Sequence, residues 1–512
     1  MHCIDSRQPQ QITLHISRRK PIHFDVLAFF IKFRNQHQTF IQRTTSSMKA
    51  FCLLLSALFF TFSAFGQDIS GQWNGILKVG NTPLPLVFNI KQQSEGYTAT
   101  MDSPSQGAKG IPVIATSYKD SILTFKMTNL NISYEGKWNG TRFTGTFIQN
   151  GMQIPLILGR EGVTAQTNPK PQEPIKPYPY HSEDVKFRNE SANLTLAGTL
   201  TLPKSDGIFP VVILISGSGS QNRDEEIMGH KPFLVLADHL TKNGIGVLRF
   251  DDRGTAESTG NFGNATTADF ATDVKAAVAY LHTRKDINLN KIGLIGHSEG
   301  GMIAPMVAVD SKEIAFIVLL AGPGISGKEI MISQSRTMAA ASGWSEEKLA
   351  ISDKLLTQML DVVILESDLQ KMKTKLTPIV EESLQLAPNI SQLTDVQKQQ
   401  TIDQIIELQV SPWRKFFYSY DPAPALAQVK CPVLALIGSK DVQVPPTENL
   451  SAIRKALEKG KNKHFEVKEL PRLNHLFQEA KTGLPDEYGT IEQTFSPIAL
   501  MEITNWISKQ IQ

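Results

Sequence analysis

Ser298 sits at the centre of Gly296-His297-Ser298-Glu299-Gly300, a G-x-S-x-G pattern. The apolar run 292–295 precedes it, and Gly301-Met302-Ile303-Ala304 follows with the composition of a close-packed helix start. A sharp strand-to-helix turn forces its central residue into strained backbone geometry and presents the hydroxyl, while flanking glycines let strand and helix approach. The helix start also supplies backbone N–H groups and a positive dipole end where an oxyanion would form. A hydroxyl is a weak nucleophile at neutral pH, so it needs a base, and the base needs an acid to fix its tautomer. Asp441 and His475 follow in that chain order, each just past a strand-like run, 432–437 and 465–470. Asp421 and Asp486 stay open as alternative acids, with Asp421 also suited to capping the turn before Pro422.

Other histidines fit the base role less well. His230 and His239 precede the nucleophile, His282 lies in a helical pattern, His297 is adjacent to Ser298, and His464 falls at the start of its strand. The Gly/Ser run Ser216-Gly217-Ser218-Gly219-Ser220 follows the apolar run 211–215 directly. It is expected to turn so that the backbone N–H of Ser218 faces that of Glu299, completing a two-donor oxyanion hole. It lacks the Lys-Ser/Thr ending of a phosphate-binding loop. Asp251-Asp252-Arg253-Gly254 reads as an Arg–carboxylate clamp bracing these loops.

Positioning these groups requires a mostly parallel sheet. Apolar, β-branched runs at 211–215, 245–250, 292–295, 316–320, 432–437 and 465–470 alternate with helical patterns, which predicts an α/β domain with strands buried on both faces. The alternation breaks at about 325–415, where helical patterning predicts a cap. Upstream, residues 68–160 carry short alternating segments separated by Gly, Asn and Asp, with an internal echo: Gly71-Gln72-Trp73-Asn74-Gly75 recurs as Gly136-Lys137-Trp138-Asn139-Gly140. Two related meanders closing into a small all-β barrel or sandwich are expected, either a calyx for a lipid or glycan or, on the chemistry of buried aromatics, a packed body plugged by Trp73 and Trp138. Five prolines between 169 and 179 predict a stiff extended spacer.

The remaining chain bounds compartment and partners. Met48-Lys49, an apolar run over 50–62 and small residues at Ala64 and Gly66 read as a signal peptide cut near Gly66. That leaves 1–47 as an extension upstream of the true start, 48–66 as the leader, 67–162 as the β-domain, 163–182 as the linker and 183–512 as the α/β domain with its cap. Cys431 is the one cysteine beyond the leader, so neither an intrachain disulfide nor a cysteine metal site is expected there. The formal charge of +3 hides an asymmetry: beyond residue 66 there are 44 Lys and Arg against 47 Asp and Glu, which argues against a nucleic-acid-binding body. With 41% hydrophobic and 20% charged residues the composition is that of a globular protein, and no apolar run reaches a membrane-spanning length.

Taken together, Ser216-Gly217-Ser218-Gly219-Ser220-Gln221-Asn222-Arg223-Asp224, Arg249-Phe250-Asp251-Asp252-Arg253-Gly254, Gly296-His297-Ser298-Glu299-Gly300-Gly301 and Asn474-His475-Leu476-Phe477-Gln478 resemble the α/β-hydrolase superfamily, in its EstD-like esterase branch near the serine-aminopeptidase-like hydrolases. The Gly-x-Trp-x-Gly β-domain resembles one often fused to such esterases. The resemblance implies a carboxylesterase acting on short acyl esters, without metal or organic cofactor. With the leader, charge balance and run lengths above, the expectation is a secreted serine enzyme that takes small-molecule esters through an acyl-enzyme, with no nucleic-acid partner and no stable membrane insertion. Thr255-Ala256-Glu257 departs from the Gly-rich continuation that the family more often shows. A serine peptidase of the same fold, or a lipid- or glycan-binding protein on a hydrolase scaffold, are the other readings.

Overall fold

A computed structural model describes residues 68–512 apart from 80–81, 94–95, 104–107, 128–131, 150–151, 161–169 and 387–394. The extension 1–47 and the leader 48–66 lie outside the described residues.

The first domain is a closed barrel of eight antiparallel strands: β1 (Gly71–Val79), β2 (Thr82–Gln93), β3 (Gly96–Ser103), β4 (Ala108–Lys119), β5 (Ile122–Met127), β6 (Ile132–Trp138), β7 (Arg142–Gln149) and β8 (Met152–Gly159). Each strand pairs with the next, and Asn74 opposite Gly159 closes β1 on β8. The two-residue period turns Phe88, Leu123, Phe125, Tyr134, Phe143, Phe147 and Leu158 inward, all buried. Phe88 and Phe125 stack at 4.5 Å in the centre. The echoed tryptophans meet edge-on, with Trp73 and Trp138 centroids 5.7 Å apart and Arg160 4.0 Å above the Trp73 ring. Among the described residues these inward side chains pack into one apolar cluster.

The second domain is an eight-stranded mixed sheet of β9 (His181–Asn189), β10 (Leu194–Leu202), β11 (Phe209–Ile215), β12 (Gly246–Phe250), β13 (Ile287–His297), β14 (Ile314–Leu320), β15 (Val433–Gly438) and β16 (Phe465–Leu470), in the order β16-β15-β14-β13-β11-β12-β10-β9. β9, β10 and β12 pair antiparallel, while the strands from β12 through β11 to β16 run parallel. Val211, Ile213 and Ile215 pack into one core layer, with helices α2 (Thr267–His282), α3 (Gly300–Asp310) and α10 (Pro446–Lys459); Val212 and Leu214 pack into the other, with α1 (Pro232–Lys242) and α11 (Pro497–Gln510). That two-sided burial is why these strands read as uninterrupted apolar runs. Between β14 and β15 come α4 (Gly327–Ala341), α5 (Glu346–Leu365), α6 (Leu369–Leu384), α7 (Asp395–Gln409), α8 (Pro412–Ser419) and α9 (Ala423–Gln428). Among the described residues no helix is long and apolar enough to cross a membrane.

The proline-rich stretch differs from a free spacer where it is described. Lys170 donates to the Gly489 and Ile491 carbonyls (3.2 and 2.8 Å), and the Gln172 side chain bonds the Phe495 carbonyl and the Thr494 and Phe495 N–H groups. Lys231 pairs with Glu173 at 3.0 Å, and Tyr180 donates to Asp238. Prolines keep such a strap extended, so its side-chain hydrogen bonds can be made at low entropic cost. Beneath it His230 is fully buried, its ring against the Thr494 hydroxyl and the Tyr488 carbonyl, and burial, helped by the charge of Lys170, lowers its pKa to about 4. The unfolded chain takes up that proton near pH 6.5, so stability should fall as pH drops from 6.5 towards 4, by up to about 3 kcal/mol from this group. Urea midpoints at pH 7 and 4.5 should therefore separate less in a His230→Asn variant than in the unaltered protein; equal separations would remove His230 as the cause.

Candidate active site

β13 ends at His297 and α3 begins at Gly300, leaving Ser298 with φ 52° in the left-handed region. A non-glycine residue there is uncommon and costs about 1–2 kcal/mol. The surroundings fix it: Ser298 N–H donates to the Leu320 carbonyl, and Gly301 N–H donates back to the Ser298 carbonyl, both at 2.8 Å. The flanking glycines are needed for approach. A Cβ on Gly296 would lie 2.0 Å from the Gly300 carbonyl oxygen, and one on Gly300 would lie 2.2 Å from that of Ile215. Ser298 itself is half-buried.

Asp441 follows β15 directly and is buried. Its Oδ2 accepts from His475 Nδ1 at 2.8 Å, and its Oδ1 accepts from the Gln443 and Val444 N–H groups, each at 2.8 Å. A carboxylate so surrounded by donors is held in one orientation, and the proton on Nδ1 leaves Nε2 of His475 as the basic nitrogen. The His475 loop closes on itself through Asn474, whose Oδ1 accepts from the Leu476 and Gln478 N–H groups while its Nδ2 donates to Gln478 Oε1. The rings of His475 and His297 lie 4.9 Å apart, which sets His475 against the elbow that carries Ser298. The rival acids are placed elsewhere. Asp421 is exposed and caps Ala423 N–H at 2.9 Å, and Asp486 is exposed in the turn Pro485–Thr490.

The Ser218 loop follows β11 and is drawn close to the elbow: a Cβ on Gly217 would lie 3.1 Å from that of Ser298. The Gly217 N–H is occupied by Glu225 Oε1 at 2.8 Å. Ser218 is exposed, and Glu299 is the N-cap of α3 with no side-chain cap bond of its own. Asp252, its carboxyl pushed well up by burial, accepts from Ser216 Oγ and Gln221 N–H at 2.8 Å and so fastens the loop base. The expected clamp is two separate braces: Arg223 pairs with Asp251, and Arg253 reaches Asp273 on α2, each at 2.7 Å. In the unusual continuation, Thr255 bonds the Ser220 hydroxyl and Glu257 meets Arg223 at 3.0 Å.

Two residues matter more than their sequence context suggests. Glu225 is buried with φ 51°, and its Oε1 lies 2.9 Å from His297 Nδ1. His297 Nε2 faces the His475 carbonyl at 2.9 Å. A carbonyl and a carboxylate both accept, so both ring nitrogens carry protons. Burial works against that charge, yet Glu225 and the His475 carbonyl hold the His297 pKa above its ordinary value. Glu225 thereby ties the Ser218 loop to the elbow, and the His297 ring carries the link on to the His475 loop. Nothing in the run Asp224-Glu225-Glu226 distinguishes it from surface acid, since the signal is tertiary. Among the described residues no group of three His, Cys, Asp or Glu has the arrangement of a metal site.

With the order of strands and the elbow at the carboxyl edge of the parallel sheet in view, kinship can be stated. Residues 231–480 match the family described as Hydrolase_4: Serine aminopeptidase, S33. The second domain has the α/β-hydrolase fold. Over 223 residues the chain is 30% identical to esterase EstD of Thermotoga maritima, covering 42% of this chain and 52% of EstD, so it spans about half the length of that relative. An uncharacterized 31.7 kDa protein of Escherichia coli, from the traX-finO intergenic region, is 22% identical over 289 residues, 55% of this chain and 90% of that one. Among solved structures, the esterase Pf2001 of Pyrococcus furiosus aligns with 64% of this chain and 93% of its own at 17% identity, with a TM-score of 0.39.

In this α/β domain the Glu225–His297 pair is a buried ion pair, and removing one partner of such a pair costs about 3–5 kcal/mol. Glu225→Ala should lower the denaturation free energy by that amount, read from urea midpoints. A loss under about 1 kcal/mol would show that the pair contributes little.

Proposed function

We propose that the protein is a serine carboxylesterase. The contact that supports this best is the 2.8 Å bond from His475 Nδ1 to Asp441 Oδ2 beside a serine held at positive φ. In this reading His475 Nε2 removes the proton from Ser298 Oγ as the oxygen attacks the ester carbonyl. The negative charge on the tetrahedral carbonyl oxygen is met by the backbone N–H groups of Ser218 and Glu299. Collapse expels the alcohol, which takes its proton from His475, and water then repeats the sequence on the acyl-Ser298 ester. Asp441 stabilises the imidazolium in both halves.

Esters rather than amides are favoured by the kinship with an esterase and by the leaving group, since an alkoxide needs less protonation than an amine. The family description keeps an aminopeptidase as the second reading. A peptide amine would need a free acid near the nucleophile. Glu299 adjoins Ser298 in the chain, and its carboxylate is already engaged by Thr267 and Trp413. Glu346 is exposed and paired with Arg336. The preference for short acyl groups rests on the motif resemblance.

Ser298→Ala should abolish labelling by a fluorophosphonate and lower kcat by several orders of magnitude. Asp441→Asn should fold yet lose most activity, with Asp421→Asn unaffected. Across p-nitrophenyl acetate, butyrate, octanoate and palmitate, kcat/KM should fall with length, and alanyl and prolyl anilides should react poorly. Preference for an anilide would establish the peptidase reading, and a maximum at palmitate would refute the short-chain one.

We also infer export, supported by the composition of 48–66. Protein recovered outside the cytoplasm should begin near Gln67; N-terminal sequencing that finds 1–47 still attached would overturn this.

A further inference from the structure

The loop that carries the acid has side-chain ties of its own. Gln443 lies two residues beyond Asp441, and its N–H donates to Asp441 Oδ1 at 2.8 Å. Its side-chain amide is bound at both ends. Oε1 accepts from Gln334 Nε2 at 3.3 Å, and Nε2 donates to the Tyr488 hydroxyl at 3.0 Å. Gln334 lies on α4 of the helical insertion, and Tyr488 is buried in the turn Pro485–Thr490. Both neighbours are themselves anchored. Ser333, next to Gln334, donates to Glu448 at 2.5 Å, which ties α4 to α10, the helix that follows the acid loop. The Tyr488 carbonyl accepts from His230 Nε2 at 3.0 Å, and the Gly489 and Ile491 carbonyls accept from Lys170 of the proline-rich strap. Hydrogen bonds and single covalent steps thus lead from the strap, through Tyr488 and Gln443, to Asp441.

We propose that Gln443 is a positioning residue for Asp441, and that through it the strap joining the two domains forms part of the active-site scaffold. The inference rests on the esterase reading above, in which Asp441 is the acid of the triad. Between Asp441 and α10 the N–H groups of Gln443 and Val444 both turn to the Asp441 side chain, so no strand or helix fixes their direction. Burial of Val442 and Val444 holds the loop against the core, and the amide of the residue between them holds it from two further sides. A glutamine side chain offers both an acceptor and a donor, so one residue can bridge the insertion and the strapped turn. Without the amide the loop can shift, tilting its N–H away from Oδ1 and letting the carboxylate turn relative to His475 Nδ1. Small movements suffice, because a misplacement of about 1 Å can cost about a hundredfold in rate.

The test uses the full chain with p-nitrophenyl acetate as substrate. Gln443→Leu keeps the backbone N–H and removes the amide, Tyr488→Phe keeps the ring and removes the hydroxyl, and Lys170→Met frees the turn from the strap. Gln443→Leu should lower kcat about tenfold with KM within about twofold, and each of the others should lower kcat about threefold. Added to Gln443→Leu, Tyr488→Phe and Lys170→Met should cost nothing further, because both act through the missing amide. Losses that multiply would overturn the route, as would an unchanged kcat in Gln443→Leu or an effect confined to KM. A second readout is the proton NMR resonance of His475 Nδ1–H in the resting protein, which reports its bond to Asp441. That resonance should move in Gln443→Leu; a fixed resonance beside a lowered kcat would place the effect elsewhere and overturn the inference. Should Tyr488→Phe fail to fold by near-ultraviolet circular dichroism, Gln334→Leu removes the other bond to the amide and carries the same expectation. Lys170→Gln replaces Lys170→Met on the same criterion. Ser298→Ala separates the two ideas: retained turnover there would sink the esterase reading itself, whereas its loss alongside multiplicative effects would sink only the role of Gln443.

Discussion

The left-handed backbone at Ser298 is the constraint on which the rest of the α/β domain turns. An L-residue at φ 52° is unfavourable by itself, so the surrounding chain must make every alternative worse. It does so by crowding. Gly296, Gly300 and Gly301 allow β13 and α3 to press against one another, against the end of β11 and against Gly322 just beyond β14, at separations that no Cβ could enter. Strands buried on both faces supply the rigid floor for that crowding.

Around this elbow the polar groups are arranged as a chain of carboxylates, each facing donors from separate segments. Asp441 gathers His475 and two backbone N–H groups. Glu225 gathers Gly217 and His297, and Glu299 gathers Thr267 and Trp413. Burying a carboxylate costs several kcal/mol unless donors surround it, so each of these acids fixes the segments that donate to it. The loops at the carboxyl edge of the sheet are thus ordered by these carboxylates together with buried side chains such as Val444, Leu473 and Phe477, and the sheet beneath them by apolar burial.

What is legible in the sequence follows that division. Apolar runs, and the motifs just past them that hold Ser298, Asp441 and His475, are local patterns, so the parallel sheet and the chain order of a candidate nucleophile, acid and base can be read from the chain alone. Glu225 cannot, because its role depends on a positive φ and on a ring 72 residues away. His297 is recognisable as a rival base but not as the donor that holds the His475 carbonyl. Closure of the first domain is also beyond local patterning: alternation predicts strands, while the choice between barrel and sandwich rests on Asn74 meeting Gly159. The strap at 170–180 reads as a free spacer for the same reason, since prolines report stiffness but not what Lys170 and Gln172 touch.

The two sheets also differ in how they end. The barrel has no outermost strand, whereas the mixed sheet ends in β9 and β16. β9 carries Glu183, Asp184, Lys186 and Arg188, and Lys468 on β16 is paired with Glu466 and with Glu502 of α11. Another chain adding to either border would have to bring its own side chains against those charges. One domain thus resists edge-to-edge stacking by having sealed its hydrogen bonds, and the other by making its margins inhospitable, which leaves this chain little tendency to grow into extended β-structure at high concentration.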